Sequence, residues 1–286
     1  MLTVRAPAKI NLVLEVLGKR SDGYHEIKSI MQAVSLFDVL SFEKSDRLEI
    51  RCSLSALQSA DNLVIQAAEA LRKKAGFGGG VRIRLEKTIP LDSGFGGGSS
   101  DAAATLIGLN KLWSLGLSPK ALAEIAIDIG SDVSFFIYGG TCLAEGRGDR
   151  ITPLPDMAET YYLLVRPEIK IQPGKTGRLY GMLGPGAFTE GRYADKAGEQ
   201  VRRERKISPH LLYNAFDKVA LHAYHGMENY WTRIGRLVGG DIHLAGSGPA
   251  LFAVMGGRPQ AEALKLKLAS NGLKSYVVAS LVKNEA

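Results

Sequence analysis

Apolar residues alternate through the first sixteen positions of the chain. Leu2, Val4, Ala6, Ala8, Ile10, Leu12, Leu14 and Val16 all fall on even numbers, so one face of an extended segment is apolar from end to end. Pro7 marks an edge or a break within it. Lys9 and Asn11 share the opposite face. The same period returns where Leu48, Ile50 and Cys52 alternate with Arg47, Glu49 and Arg51, and where Val81, Ile83 and Leu85 alternate with Arg82, Arg84 and Glu86. Each pattern predicts a half-buried strand.

Helical spacing takes over elsewhere. Asp61-Asn62 precedes Val64, Ala67, Ala68 and Leu71, and Gly76 closes that run. Ala102, Leu106, Leu109 and Trp113 predict a second helix, with Ser99, Ser100 and Asp101 at its capping end. Ser118-Pro119 opens a third, reaching about Asp128. Strands are expected near residues 133–144 and 160–166. Residues 183–198, rich in glycine and holding Pro185, read as a mobile loop. Helical patterns return from about residue 208. The final section predicts a strand Asp241–Ala245, a turn Gly246-Ser-Gly-Pro249 and a strand Ala250–Met255. A helix to about Ala269 and a strand near Tyr276–Leu281 complete it. With no internal repeat, the pattern is that of a two-domain α+β protein, residues 1–155 and 156–286.

Composition narrows the partners. The 286 residues are 45% hydrophobic and 23% charged, which is ordinary for a globular protein. No apolar run is long enough to cross a bilayer, and the N-terminus lacks a basic segment followed by an apolar one, so a cytoplasmic location is expected. Cys52 and Cys142 lie far apart without metal-ligand spacing and read as buried, reduced thiols. The net charge of +7 suits nucleic acid or a polyanionic small molecule. Arg202, Arg203, Arg205 and Lys206 cluster, but Glu204 interrupts them, and a solvated helix face is the plainer meaning. Aromatic and basic residues do not interleave as they do in single-strand binders. Neither a nucleic-acid nor a membrane partner is therefore expected.

The stretch Pro90-Leu-Asp-Ser-Gly-Phe-Gly-Gly-Gly-Ser-Ser-Asp101 joins a predicted strand to a predicted helix. A glycine loop opening a helix offers free backbone N–H groups at the positive end of the helix dipole, which suits phosphate. It is not a P-loop, because no lysine follows its glycines, and it lacks the dinucleotide spacing. Asp92 would repel phosphate unless it points away. Read singly, other residues are unremarkable. Lys9 is an exposed strand lysine, Asp132 a cap or turn acid, and Tyr24-His25 part of a surface turn after Asp22-Gly23.

Their order is more specific. Pro7-Ala-Lys-Ile-Asn-Leu12, the Pro90–Asp101 loop and Ala245-Gly-Ser-Gly-Pro249 resemble the three motifs of the GHMP kinase superfamily. Arg20-Ser-Asp-Gly-Tyr-His25, Asp61-Asn-Leu63, Gly130-Ser-Asp-Val133 and Leu143-Ala-Glu-Gly-Arg-Gly148 narrow the resemblance to its branch acting on a cytidyl diphosphate sugar alcohol. The resemblance runs from about residue 5 to 255.

It implies a ribosomal-protein-S5-domain-2-like N-terminal domain and a ferredoxin-like α/β C-terminal domain, with the active site in the cleft between them. It implies ATP-dependent, Mg2+-assisted phosphorylation of the 2-hydroxyl of a cytidyl diphosphate methylerythritol, in the non-mevalonate route to isoprenoid precursors, by a monomer or weak homodimer. Asp132 would accept the hydroxyl proton, with Lys9 beside it. Pro90, Gly94, Phe95, Gly96, Gly97, Gly98, Ser99 and Ser100 would hold the triphosphate, while Asn62 and Lys87 would contact the nucleotide. Tyr24 and Tyr180 would sandwich the cytosine ring, and His25 would bond its edge. Asn11, Thr176, Gly246 and Ser247 would complete the substrate side. Ser99 and Ser100 are caps or, alternatively, touch magnesium. The chain departs from the family at Asp92-Ser-Gly-Phe95 and at Ala245. A kinase of the same superfamily acting on another alcohol is the rival reading, and the Asp22-Gly-Tyr-His25 segment argues against it.

Overall fold

A computed structural model describes residues 1–59 and 61–283. In chain order, β1 (Leu2–Lys19) and β2 (His25–Ser45) pair antiparallel along most of their length. There follow β3 (Leu48–Cys52), α1 (Leu63–Ala75), β4 (Gly80–Glu86), α2 (Gly97–Leu112), α3 (Pro119–Ala126) and α4 (Val133–Tyr138), then β5 (Thr141–Gly146) and β6 (Arg150–Pro153). The second half supplies β7 (Tyr161–Arg166), α5 (Lys175–Met182), α6 (Arg192–Glu204), β8 (Tyr213–Asn214), α7 (Asp217–Ala223) and α8 (Met227–Val238). It ends with β9 (His243–Leu244), β10 (Leu251–Met255), α9 (Arg258–Ala269) and β11 (Lys274–Ala279).

One sheet has the order β3-β4-β2-β1-β8, with β5 on β2 and β6 on β5; the other has the order β11-β7-β10-β9. The long β2 changes partners along its length, taking β5 over Ile27–Gln32 and β4 over Val39–Ser45. Pro7, which cannot donate a ladder hydrogen bond, lies at a register shift between Pro7 and Ala8, so the expected break is a bulge in an unbroken strand. Helices α1 to α4 cover one face of the first sheet around Phe42, Leu71, Leu106 and Phe135. Its other face, at Ile10, Leu12, Ile30 and Val34, is covered by α6 and by the second sheet. A third cluster joins the second sheet to α7, α8 and α9. Among the described residues no helix is long and apolar enough to cross a membrane.

Caps form where the sequence places them for two helices. Asn62 accepts from Val64 N–H at 2.9 Å, Ser118 accepts from Ala121 N–H at 3.2 Å, and Gly76 closes α1 at φ 61°. Other expectations need correction. Residues 133–138 are helix, and only 141–146 of the expected strand is extended. Six residues, apolar but for Ser134, are too few for their period to tell helix from strand, and this run is buried whichever way it turns. Residues 192–198 belong to α6 rather than to a loop. Its buried stripe is Ala194, Ala197 and Val201, too weakly hydrophobic to read as a core face yet small enough to lie close on the sheet. Helix α2 starts at Gly97 with Gly96 as its cap, so Ser99 and Ser100 occupy its first turn and Asp101 follows it, instead of capping it. Cys142 is buried, Cys52 is only half-buried, and both are free thiols. Arg202, Arg203, Arg205 and Lys206 are exposed at the end of α6, as a solvated face requires.

Candidate active site

The central strand β1 carries Lys9 inward, not outward as its isolated reading suggested. Its side chain is 5% exposed, and its ammonium lies 3.3 Å from Asp132 Oδ2. Lys9 Nζ also donates to Asn11 Oδ1 at 2.7 Å, Asn11 Nδ2 donates to Ser29 Oγ at 2.8 Å, and Ser29 Oγ donates to the Val13 carbonyl at 2.6 Å. This chain of bonds leaves the lysine one orientation. Asp132 stands at the cap position of α4, but its side chain bonds no helix amide. Its side chain is 36% exposed, so one carboxylate face remains open to a ligand.

The glycine loop wraps over Lys9. The Phe95 carbonyl accepts from Lys9 N–H at 2.9 Å, and the fully buried Phe95 side chain anchors the loop in the core. Phe95 is thus a packing residue whose carbonyl fixes β1 at Lys9. Gly94 adopts φ +94°, and a Cβ there would lie 1.9 Å from the Ala245 carbonyl oxygen. No side chain can be accommodated where the loop and the third motif touch. Gly246 answers it from the other side, since a Cβ there would meet Lys9 Nζ at 3.0 Å and Asn11 Oδ1 at 3.2 Å. Asn214, on β8 beside β1, donates to the carbonyls of Leu244 and Gly246 at 3.0 and 2.8 Å, and Tyr224 donates its hydroxyl to the Ser247 carbonyl at 2.6 Å. Neither Asn214 nor Tyr224 carries a sequence pattern that marks it.

These parts line one cavity of about 900 Å3. At one end the first amides of α2, Gly97 to Ser99, have no intrahelical carbonyl to reach and face the loop. Lys9, Asn11, Lys87, Pro90, Gly94 and Gly96 line the cavity, as do Gly97, Gly98, Ser99 and Asp132. Tyr24, His25, Thr176, Tyr180, Gly246 and Ser247 also line it. Asn62, Phe95 and Ser100 do not, although Leu57 and Leu63 beside Asn62 do. The Asn62 amide is committed to its cap and to the Leu57 carbonyl at 2.7 Å. Asp92 is exposed at φ +53° and lies on the lining of the cavity. It forms no ion pair among the described residues.

At the opposite end the aromatic rings gather. Tyr180 stacks on His25 with centroids 4.8 Å apart, and meets Phe216 edge-on at 4.9 Å. Tyr24 is exposed, and the Arg147 guanidinium lies 4.8 Å over its ring. Burial, and then the charge of Lys19, hold the His25 pKa below the usual imidazole value. The ring is therefore neutral at pH 7, with one nitrogen to donate and one to accept. Burial and the nearby Asp132 charge push the Tyr180 phenol far up, so it stays neutral.

Lys87 behaves differently from the open contact that the sequence suggested. It forms a buried triad with Asp38 and, at 2.6 Å, Asp101 of α2. Asp38 Oδ1 also accepts from the amides of Thr88 and Ile89 at 2.5 and 2.8 Å, whereas Asp101 Oδ1 has no partner. Burial first, and then the Asp38 charge, push Asp101 upward, making it the carboxyl that holds a proton. The two carboxylates and their own hydrogen bonds raise Lys87 in spite of its burial. The triad ties β2, the end of β4 and the start of α2 together beneath the loop.

Comparison with known proteins supplies relatives for this arrangement. Residues 62–140 match the family described as GHMP kinases N terminal domain. The chain is 42% identical to a protein of Dehalococcoides mccartyi named 4-diphosphocytidyl-2-C-methyl-D-erythritol kinase, across 98% of this chain and 99% of that one. A protein of the same name from Bacillus cytotoxicus is 40% identical over 89% of this chain and 88% of its own length. The fold matches a crystal structure of 4-(cytidine 5'-diphospho)-2C-methyl-D-erythritol kinase with a TM-score of 0.81 at 29% identity, covering 98% of this chain and 99% of that one. A homoserine kinase from Cytophaga hutchinsonii shares the fold at a TM-score of 0.72 and 18% identity, over 98% of this chain and 95% of that one.

Proposed function

The chain belongs to the 4-diphosphocytidyl-2-C-methyl-D-erythritol kinase family of GHMP kinases, and from that membership we propose that it phosphorylates the 2-hydroxyl of 4-diphosphocytidyl-2-C-methyl-D-erythritol with ATP. The observation that carries this reading is the Lys9–Asp132 pair, at 3.3 Å, between a glycine-rich helix start and an aromatic cluster in one cavity. Residues 1–155 and 156–286 are the proposed domains, and the cleft between them the proposed site.

Asp132 takes the hydroxyl proton as the oxygen attacks the γ-phosphorus, and the bond to the bridging oxygen of ADP breaks. Lys9 holds the carboxylate in place from 3.3 Å and offsets charge gathering on the transferred group. The amides of Gly97 to Ser99 receive phosphate oxygens at the positive end of α2. The Ser100 hydroxyl, buried without a partner in that first turn, fits a role toward a hydrated cation or phosphate. Among the described residues no group of three or more His, Cys, Asp and Glu side chains could hold a metal. Magnesium, which supplies charge neutralisation to the phosphates, would therefore be held chiefly by the phosphates, with Ser99 or Ser100 beside it. Leu57, Leu63 and Pro90 offer the adenine an apolar wall, and Lys87 and Asn62 remain its proposed neighbours. Thr176, whose hydroxyl lies 3.0 Å from Ser247 Oγ, and Asn11 border the substrate's hydroxyl end.

At the aromatic end, neutral His25 presents one donor and one acceptor, which matches a pyrimidine edge, and Tyr24 and Tyr180 provide flat faces. His25→Ala should raise KM for the cytidyl substrate about tenfold, the worth of one hydrogen bond and its supporting stack. KM for ATP should stay within about twofold, as the ring packs on Tyr180 and Phe188 and not on the loop. Steady-state kinetics with each substrate varied in turn measures both, and an unchanged cytidyl-substrate KM removes His25 from the cytosine site. The function itself is tested by incubating the protein with Mg-ATP and the cytidyl substrate. Equal amounts of ADP and the 2-phosphate are expected; no ADP overturns the reading.

A further inference from the structure

Lys175 is the first residue of α5, half-buried, and lines the same cavity as Lys9. Its ammonium donates to the carbonyl of Asp92 in the glycine loop and to the carbonyl of Gly248 in the third-motif turn. No carboxylate among the described residues lies within ion-pair distance of it. We propose that Lys175 supplies a second cation to the phosphates at the transfer site, using the one N–H that the two carbonyls leave free. The proposal rests on reading the cavity as a phosphoryl-transfer site.

Three physical arguments support it. First, a cation at a helix N-terminus opposes the dipole, so Lys175 does not stabilise α5, and the start of α2 across the cavity repels it as well. Both helix starts favour the cation only once an anion sits between them. Second, an ammonium has three donors, and two carbonyls from different halves of the chain fix two of them, which aims the third. Third, its charge is sustained poorly without a ligand. Burial, and then the Lys9 charge, bring its pKa down to about 8, while Asp92 works in the opposite direction. The titratable groups acting on it are Asp92 on the loop and Lys9 on β1, and Tyr224 meets the same turn through the Ser247 carbonyl. The two tyrosines bordering this region, Tyr180 and Tyr224, are both raised by burial, so neither titrates near pH 8. A polyphosphate arriving beside Lys175 and Lys9 relieves the repulsion between them and restores the proton.

The test compares wild type, Lys175→Met and Lys175→Arg. In wild type, kcat/KM for ATP should fall above about pH 8 as free-enzyme Lys175 loses its proton. In Lys175→Met, kcat should drop about 100-fold, the cost of one donor to a developing anion. That alkaline fall should also vanish, with KM for the cytidyl substrate within about threefold of wild type. Lys175→Arg should move the fall to higher pH. A Lys175→Met protein with wild-type kcat and an unchanged pH profile overturns the proposal, even if its melting temperature drops, because that result describes a staple and nothing more. Calorimetric titration with inorganic tripolyphosphate separates this failure from failure of the assigned function. A wild type that makes no ADP overturns the function, while tripolyphosphate binding equally tightly to wild type and Lys175→Met overturns the role of Lys175.

Discussion

Asp132→Asn should lower kcat by about 10²- to 10⁴-fold, the range that a positioned general base contributes. The amide keeps the size of the carboxylate and still offers Lys9 an oxygen, but it cannot take a proton. Structure gives the acid no competing duty. It caps no amide of α4, and its one ion pair is with Lys9, itself held by Asn11 and Ser29. Substrate affinities should therefore stay within about threefold, since backbone contacts hold the loop and ring packing holds the aromatic end. Single-turnover measurements with Mg-ATP and the cytidyl substrate read the chemical step directly, and calorimetry reads binding. A variant that turns over at close to the parent rate removes Asp132 as the base.

The second large effect concerns stability. Lys87→Met should destabilise the fold by about 3–5 kcal/mol, as breaking a buried ion pair from one side does. Removing the ammonium leaves Asp38 and Asp101 side by side, both nearly inaccessible. Asp38 keeps its two amide donors, so Asp101 must hold its proton more tightly still. A carboxyl whose folded pKa is raised binds more protons in the native state than in the unfolded one, so stability falls as pH rises. The loss begins at the ordinary carboxylate range, about pH 4, and continues up to the folded pKa. Urea unfolding at pH 5 and pH 8 should give a larger deficit at pH 8 for the variant relative to its parent. Equal deficits at both values would mean that Asp101 titrates alike with and without the lysine.

Regular periods made much of the fold legible. Alternation located β1, β3 and β4, and cap residues located α1 and α3, because local chemistry and final burial agree there. Agreement failed at 133–138 and 192–198. In the first, uniform burial erased the period; in the second, alanines did the work of larger apolar residues. Lys9 and Asn11 could be placed on one face from spacing alone, and the structure joins them through a 2.7 Å bond. Nothing local marks Lys9 as buried, since the loop and turn that cover it come from residues 94–96 and 246. Lys175, Asn214 and Tyr224 were equally hidden. Each acts on backbone carbonyls distant in sequence, and a carbonyl leaves no trace in the residue types that surround it.

The sheet face at Ile10, Leu12, Ile30 and Val34 has a bearing on how the chain comes to be folded during its synthesis. Its cover consists of Leu164, Ala194, Ala197, Val201, Phe252 and Val278. The tail then returns, with Leu281 N–H bonding the Ala33 carbonyl at 2.9 Å and Gln32 reaching the Leu281 carbonyl at 2.9 Å. A ribosome working from the N-terminus releases β1 and β2 long before any of those residues exist. Until β7, α6, β10 and β11 have emerged, the apolar side of β1 and β2 lacks part of its cover. Lys9 thus lies on a strand made first and covered late.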